Sequence, residues 1–150
     1  MNRKRIIWLI ILLSAGAGTW YGYKEYNRTN KDYKNVKPDF TLSASALIQA
    51  YEKDDPGASL RYNGKSLEIT GTVKAFEKDE KDFYTVVLSD STGLSSVRCS
   101  MDTIHSTDAA ILTAGSAVTI RGACAGFNKD EMGIGSDVIM NYCVVITKKE

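Results

Sequence analysis

Three cysteines, a single histidine and one run of alternating charges are the side chains in these 150 residues that could do chemistry. Thiolates bind soft metals or pair as disulfides, and an imidazole carries protons or ligates zinc. Cys99, Cys124 and Cys143 have no Cys-x-x-Cys spacing, and His105 alone is available to complete a ligand set. Structural zinc needs closely spaced ligand pairs, so no metal site is expected. His105 opens a connector ahead of a short helix and reads as a surface or structural residue. The run Glu77–Asp82, EKDEKD, alternates carboxylates with lysines and reads as a solvated loop, not an acid–base pair. No nucleophile elbow, phosphate-binding glycine loop or metalloprotease helix occurs. The sequence therefore predicts a non-enzyme without catalytic residues, metal or cofactor.

Charge divides the chain. Residues 1–37 carry eight Lys/Arg against Glu25 and Asp32, whereas residues 38–150 carry eleven against sixteen acids. The larger part repels polyanions at long range, while the basic segment favours anionic lipid or nucleic acid. Ile6 to Tyr23 is an uncharged stretch of 18 residues. As a helix it would span about 27 Å, close to a hydrocarbon core of roughly 30 Å. Trp20, Tyr21 and Tyr23 sit where interfacial aromatics anchor a span. Residues 1–23 thus predict an N-terminal transmembrane helix. A cleaved signal peptide is the alternative, with Ala15-Gly16-Ala17 as its cleavage site, and a soluble cytosolic chain is a third. Arg3-Lys4-Arg5 before the span favours an extracytoplasmic domain, although the basic residues of 24–37 argue the other way.

The elements that must position these residues lie beyond a polar, basic tether, KEYNRTNKDYKNVK over 24–37, in a domain over 38–150. Ser43 can cap a helix whose Ala44, Leu47, Ile48 and Tyr51 share one face. Asp54-Asp55-Pro56-Gly57 should stop it. Asn63-Gly64 marks a turn, after which Leu67, Ile69, Gly71, Val73 and Ala75 alternate with Glu68, Thr70, Thr72 and Lys74 as a half-buried strand. Gly71 in mid-strand predicts a bulge or sharp bend. Strands over Phe83–Leu88 and Ser96–Met101 follow, then a short helix clearest at Ala109–Leu112. Strands Val118–Ala123 and Val138–Ile146, separated by a loop over 126–137, complete the domain. A mainly β chain of five short strands, with a helix between the third and fourth, has the order of an OB-fold barrel.

The pieces SALIQAYEKD, YNGKSLEITGTV, SSVRCSM, LTAGSAVTIRGACAGF and GSDVIMNYCVVI together resemble the bacterial tRNA anticodon-binding-like OB-fold family across residues 41–146. The resemblance implies a domain that is often exported or membrane-tethered, and it brings no catalytic residues. Cys124 and Cys143 lie on the last two strands of an expected hairpin centred near Gly133. That register sets them opposite each other as a disulfide in an oxidising compartment. Cys99 shares a face with Val97 and Met101 and reads as a core thiol.

The outward face offers Thr70, Thr72, Lys74 and Arg98 as ligand contacts. It is small and polar, with no aromatic platform nearer than Phe83, so stacking of single-stranded nucleic acid is disfavoured. These features predict a single-pass inner-membrane protein whose extracytoplasmic OB module binds a protein or small ligand. A cytoplasm-facing binder of RNA or single-stranded DNA, using Lys31, Lys34 and Lys37, is the alternative. A structural spacer is a third.

Overall fold

A computed structural model describes residues 13–14, 16–23, 31–80, 83–89, 93–130, 132 and 135–146. The chain falls into two compact units, Met1–Asn30 and Lys31–Glu150. In the first, residues 16–23 are helical, with Trp20, Tyr21 and Tyr23 exposed. Residues 6–12 and 15 of the expected span lie outside the described residues. Among those described, no helix is long and apolar enough to cross a membrane.

The second unit contains, in chain order, β1 (Phe40–Ser43), α1 (Ala44–Lys53), α2 (Asp55–Tyr62), β2 (Ser66–Lys78), β3 (Tyr84–Ser89) and β4 (Ser96–Met101). A 3-10 turn (Thr103–His105), α3 (Ser106–Ala109), β5 (Ala117–Asn128) and β6 (Asp137–Val145) follow. β2 pairs antiparallel with both β3 and β5, β3 with β4, and β5 with β6. The parallel β4–β6 pair closes the ring. Strands β2 to β6 are thus a closed mixed barrel of the OB type, with the short helix where the strand order requires it. β1 is an addition the sequence pattern hides: four residues laid parallel to β2, with Phe40 opposite Leu67.

The Ser43 hydroxyl accepts from the Ala46 N–H at 3.2 Å and starts α1, whose buried residues are Ala44, Leu47, Ile48 and Tyr51. Asp54 ends α1 as expected but also starts α2. Its carboxylate accepts from the Gly57 N–H at 3.2 Å, and Pro56 stands in the first turn, where its missing donor is harmless. Gly71 is not the bulge; the register of β2 shifts between Val73 and Ala75. Gly71 is needed for close packing instead, because a Cβ there would stand 2.9 Å from the Ala44 Cβ. Its absence lets α1 approach the strands around a core of Leu67, Ile69, Leu88, Val97, Ile120 and Met140.

Candidate binding face

OB barrels take ligands across their second and third strands and the loops after the first and fourth. Here those are β3, β4 and the segments around 79–83 and 129–136. Arg98 stands on β4 between Val87 of β3 and Ile139 of β6. Two carboxylates share its guanidinium: Nη2 donates to Glu77 Oε2, and Nη1 lies 4.0 Å from Asp137 Oδ2. Phe83 is 44% exposed, and the Lys78 ammonium lies 5.5 Å from the centre of the Tyr84 ring.

The other expected contacts are distributed elsewhere. Thr70 meets the hydroxyl of Thr119 on β5 at 3.0 Å. Both line an apolar groove of about 350 Å³ with Ile111, Leu112, Val145 and Ile146. Thr72 lies between Ala117 and Ser89 on the neighbouring strands, and Lys74 is exposed at the bulge of β2. Thr70 and Arg98 therefore belong to different sides of the barrel. A further hollow of about 380 Å³ opens between the α1–α2 junction and the end of β5, lined by Tyr51, Asp54, Asp55, Phe127, Lys129 and Ser136.

Sequence reasoning missed Arg121. On β5 it stands opposite Glu68 of β2, with Nη2 2.5 Å and Nε 3.1 Å from Glu68 Oε2. Its Nη1 donates to the carbonyls of Val36 at 2.7 Å and Lys34 at 3.2 Å. Residues 31–37, polar and tether-like in sequence, are thereby strapped to the barrel with Tyr33 buried beneath. The strap is held at its other end by Asp32, whose Oδ1 lies 3.2 Å from His105 Nε2. Lys34 Nζ adds a contact to Asp108 Oδ2 at 3.6 Å. Donation from the Lys34 backbone N–H keeps the Asp32 carboxyl below the usual carboxylate range. The outward phase of Arg121 was the available signal, but its meaning depends on knowing that β5 closes against β2.

Cys99, Cys124 and Cys143 are buried free thiols, which corrects the expected Cys124–Cys143 disulfide. Cys124 pairs with Met140, and Cys143 with Met101 of β4. The cause is the register of the hairpin: Ile120 pairs with Val145 and Asn128 with Asp137, so an unbroken ladder would already set Cys124 opposite Asn141. Two bulges, an extra β6 residue opposite Gly122 and an extra β5 residue at Ala125, shift it locally by one more, to Met140. Burial pushes the Cys124 and Cys143 thiols up, so both stay protonated and poorly nucleophilic. Among the described residues, no cluster of His, Cys, Asp and Glu is arranged to hold a metal ion.

Cys124 Sγ lies 3.2 Å from the Tyr51 hydroxyl, which donates to Asn63 Oδ1 at 2.6 Å. Burial raises the Tyr51 phenol, so it remains a donor. Its ring stacks on Phe127 with centroids 5.1 Å apart. Tyr51→Phe should keep the stack and lose the hydroxyl bonds. The expected loss is about 1–2 kcal/mol, read as a lower urea midpoint at unchanged slope.

A ring of five strands closed by the parallel β4–β6 pair defines an OB-fold domain. The family model described as tRNA_anti-like matches residues 1–137, and the chain belongs to that family. No curated protein sequence matches the chain. Among solved structures it is similar to a Klebsiella pneumoniae protein to which the role of nucleic acid-binding lipoprotein is ascribed. The identity is 18% over 71% of this chain and 91% of that one, with a TM-score of 0.55. A weaker likeness is to Entamoeba histolytica asparaginyl-tRNA synthetase, at 15% identity and a TM-score of 0.46. It covers 76% of this chain but only 25% of the synthetase. At these identities the likeness concerns the fold.

Proposed function

We propose that this chain is a non-catalytic OB-fold binding module, tethered to the membrane through residues 1–23, with its barrel on the extracytoplasmic side. It takes a protein or small ligand on the β3–β4 face and the adjoining loops. The observation that carries this reading is the neutralisation of Arg98 by Glu77 and Asp137 at the middle of that face. Binders of single-stranded nucleic acid combine a positive groove with stacking aromatics, and here the neighbours of the arginine are carboxylates. A protein or small polar ligand requires no such field. With the thiols free, the extracytoplasmic placement rests on Arg3-Lys4-Arg5 preceding the span.

Fluorescence anisotropy on the detergent-solubilised full chain, with labelled single-stranded oligonucleotides at low salt, tests the reading. The native chain should give no shift. Glu77→Gln with Asp137→Asn, which unmasks Arg98, should create weak binding that salt abolishes. Salt-sensitive binding by the native chain would overturn the proposal. It would favour a second reading, a nucleic-acid binder, supported by the fold shared over 91% of the Klebsiella pneumoniae protein. On that reading, neutralising Lys31, Lys34 and Lys37 weakens the binding.

A further inference from the structure

We infer that the connector between β4 and β5 is a docking face for an anionic lipid surface, laying the barrel against the membrane that tethers it. The inference rests on the tethered reading above. Ile104 and Ile111 are 72% and 80% exposed. They bracket Asp108 at helical spacing, while Ala109 is buried and His105 and Leu112 are half-buried on the side toward the barrel. Asp108 would oppose burial in a headgroup layer, but Lys34 Nζ stands 3.6 Å from it and His105 Nδ1 3.9 Å. Beyond Ile111 the apolar surface continues into the groove of Leu112, Val145 and Ile146. Exposed isoleucines beside a lysine and continuous with an apolar groove are what an interfacial contact uses.

Two features say what covers this face. The first is reach. Arg121 holds Val36 and Lys34, and His105 holds Asp32, so the run between Tyr23 and the barrel ends at Lys31. Eight Cα steps extend at most about 29 Å, against about 54 Å for a tether ending at Pro38. A span ending at Tyr23 would therefore leave the Asp32–His105 contact, and with it the connector, within reach of the bilayer. The second is charge. Lys31, Lys34 and Lys37 are exposed on the strap, while residues 38–150 carry eleven bases against sixteen acids. An anionic surface attracts the strap side and repels the remainder.

The test uses the full chain in phosphatidylglycerol-rich vesicles, with a polarity-sensitive fluorophore placed through Ile111→Cys. Leu60→Cys provides the control, since Leu60 is 88% exposed on α2 and α2 leads into the turn where Gly64 N–H meets the Cys124 carbonyl, toward the other end of β5. The native thiols are buried, which directs the label to the introduced one. Lipid-borne nitroxide should quench position 111 several-fold more than position 60. Ile104→Asp should abolish the difference, and phosphatidylcholine alone should weaken it.

Carbonate extraction separates the failures. A chain that is retained but quenched equally at both positions overturns the docking and leaves the tether standing. A chain that carbonate releases overturns the tether and the docking with it. Position 111 shielded from aqueous iodide yet not quenched from the lipid would mean that a protein, a second copy included, covers the face; that too overturns the inference.

Discussion

Gly122→Ala should destabilise the barrel by about 2–3 kcal/mol and lower its melting temperature by roughly 10 °C. A Cβ at Gly122 would stand 2.6 Å from Cys143 Sγ, 2.9 Å from the Asn141 carbonyl oxygen and 3.2 Å from Cys143 Cα. Two of those neighbours are backbone atoms in the β6 bulge, where Tyr142 adopts φ 55°. Cys143 has no free volume to retreat into, being fully buried with Met101 as its partner on β4. Overpacking at such a point displaces the hairpin itself. The steric cause is separable from any loss of strand propensity by a double-mutant cycle with Cys143→Ala, which removes the sulfur. The pair should be more stable than the sum of the single changes predicts. Strict additivity of the two in thermal unfolding would sink the steric explanation.

The same bulge shows where sequence reasoning stops. Helix α1 and the first half of β2 were legible because a buried face repeats with a fixed period, and five strands around one helix left few closed arrangements. Bulges have no period. The two in the β5–β6 hairpin moved Cys124 from Asn141 to Met140, and the hairpin's overall register, centred before Gly133, had already separated it from Cys143. Pro56 and Gly57 read as the end of α1, yet Asp54 can cap the next helix from the same place. Four residues of β1 are too few for an alternation to stand out.

For the binding face, Arg98 was legible as an outward cation. Its neutralisation was not, since Glu77 and Asp137 arrive from two other strands. The strap was hidden for the same reason. Residues 31–37 have no apolar pattern, and their hold on the barrel is made by distant residues, Arg121 above all.

Arg121→Met should release that strap. The substitution keeps much of the aliphatic packing but removes the donors to Val36 and Lys34 and leaves Glu68, with 18% of its side chain exposed, without its cation. Charged hydrogen bonds at a partly buried site place the loss at about 2–3 kcal/mol, below that of a fully buried pair because water reaches both groups. Local opening of the strap would then become roughly 30- to 150-fold more frequent. Trypsin cleavage after Lys34, which Asn35 follows, read by mass spectrometry under native conditions, should rise in proportion.

Glu68→Gln supplies the contrast. Arg121 would retain its bonds to the two carbonyls, so cleavage should change far less than in Arg121→Met. Such asymmetry would identify the guanidinium as a clamp on backbone carbonyls, with Glu68 serving to orient it. Small and equal effects would reduce the pair to an ordinary surface ion pair. They would assign the docking of the strap to the burial of Tyr33.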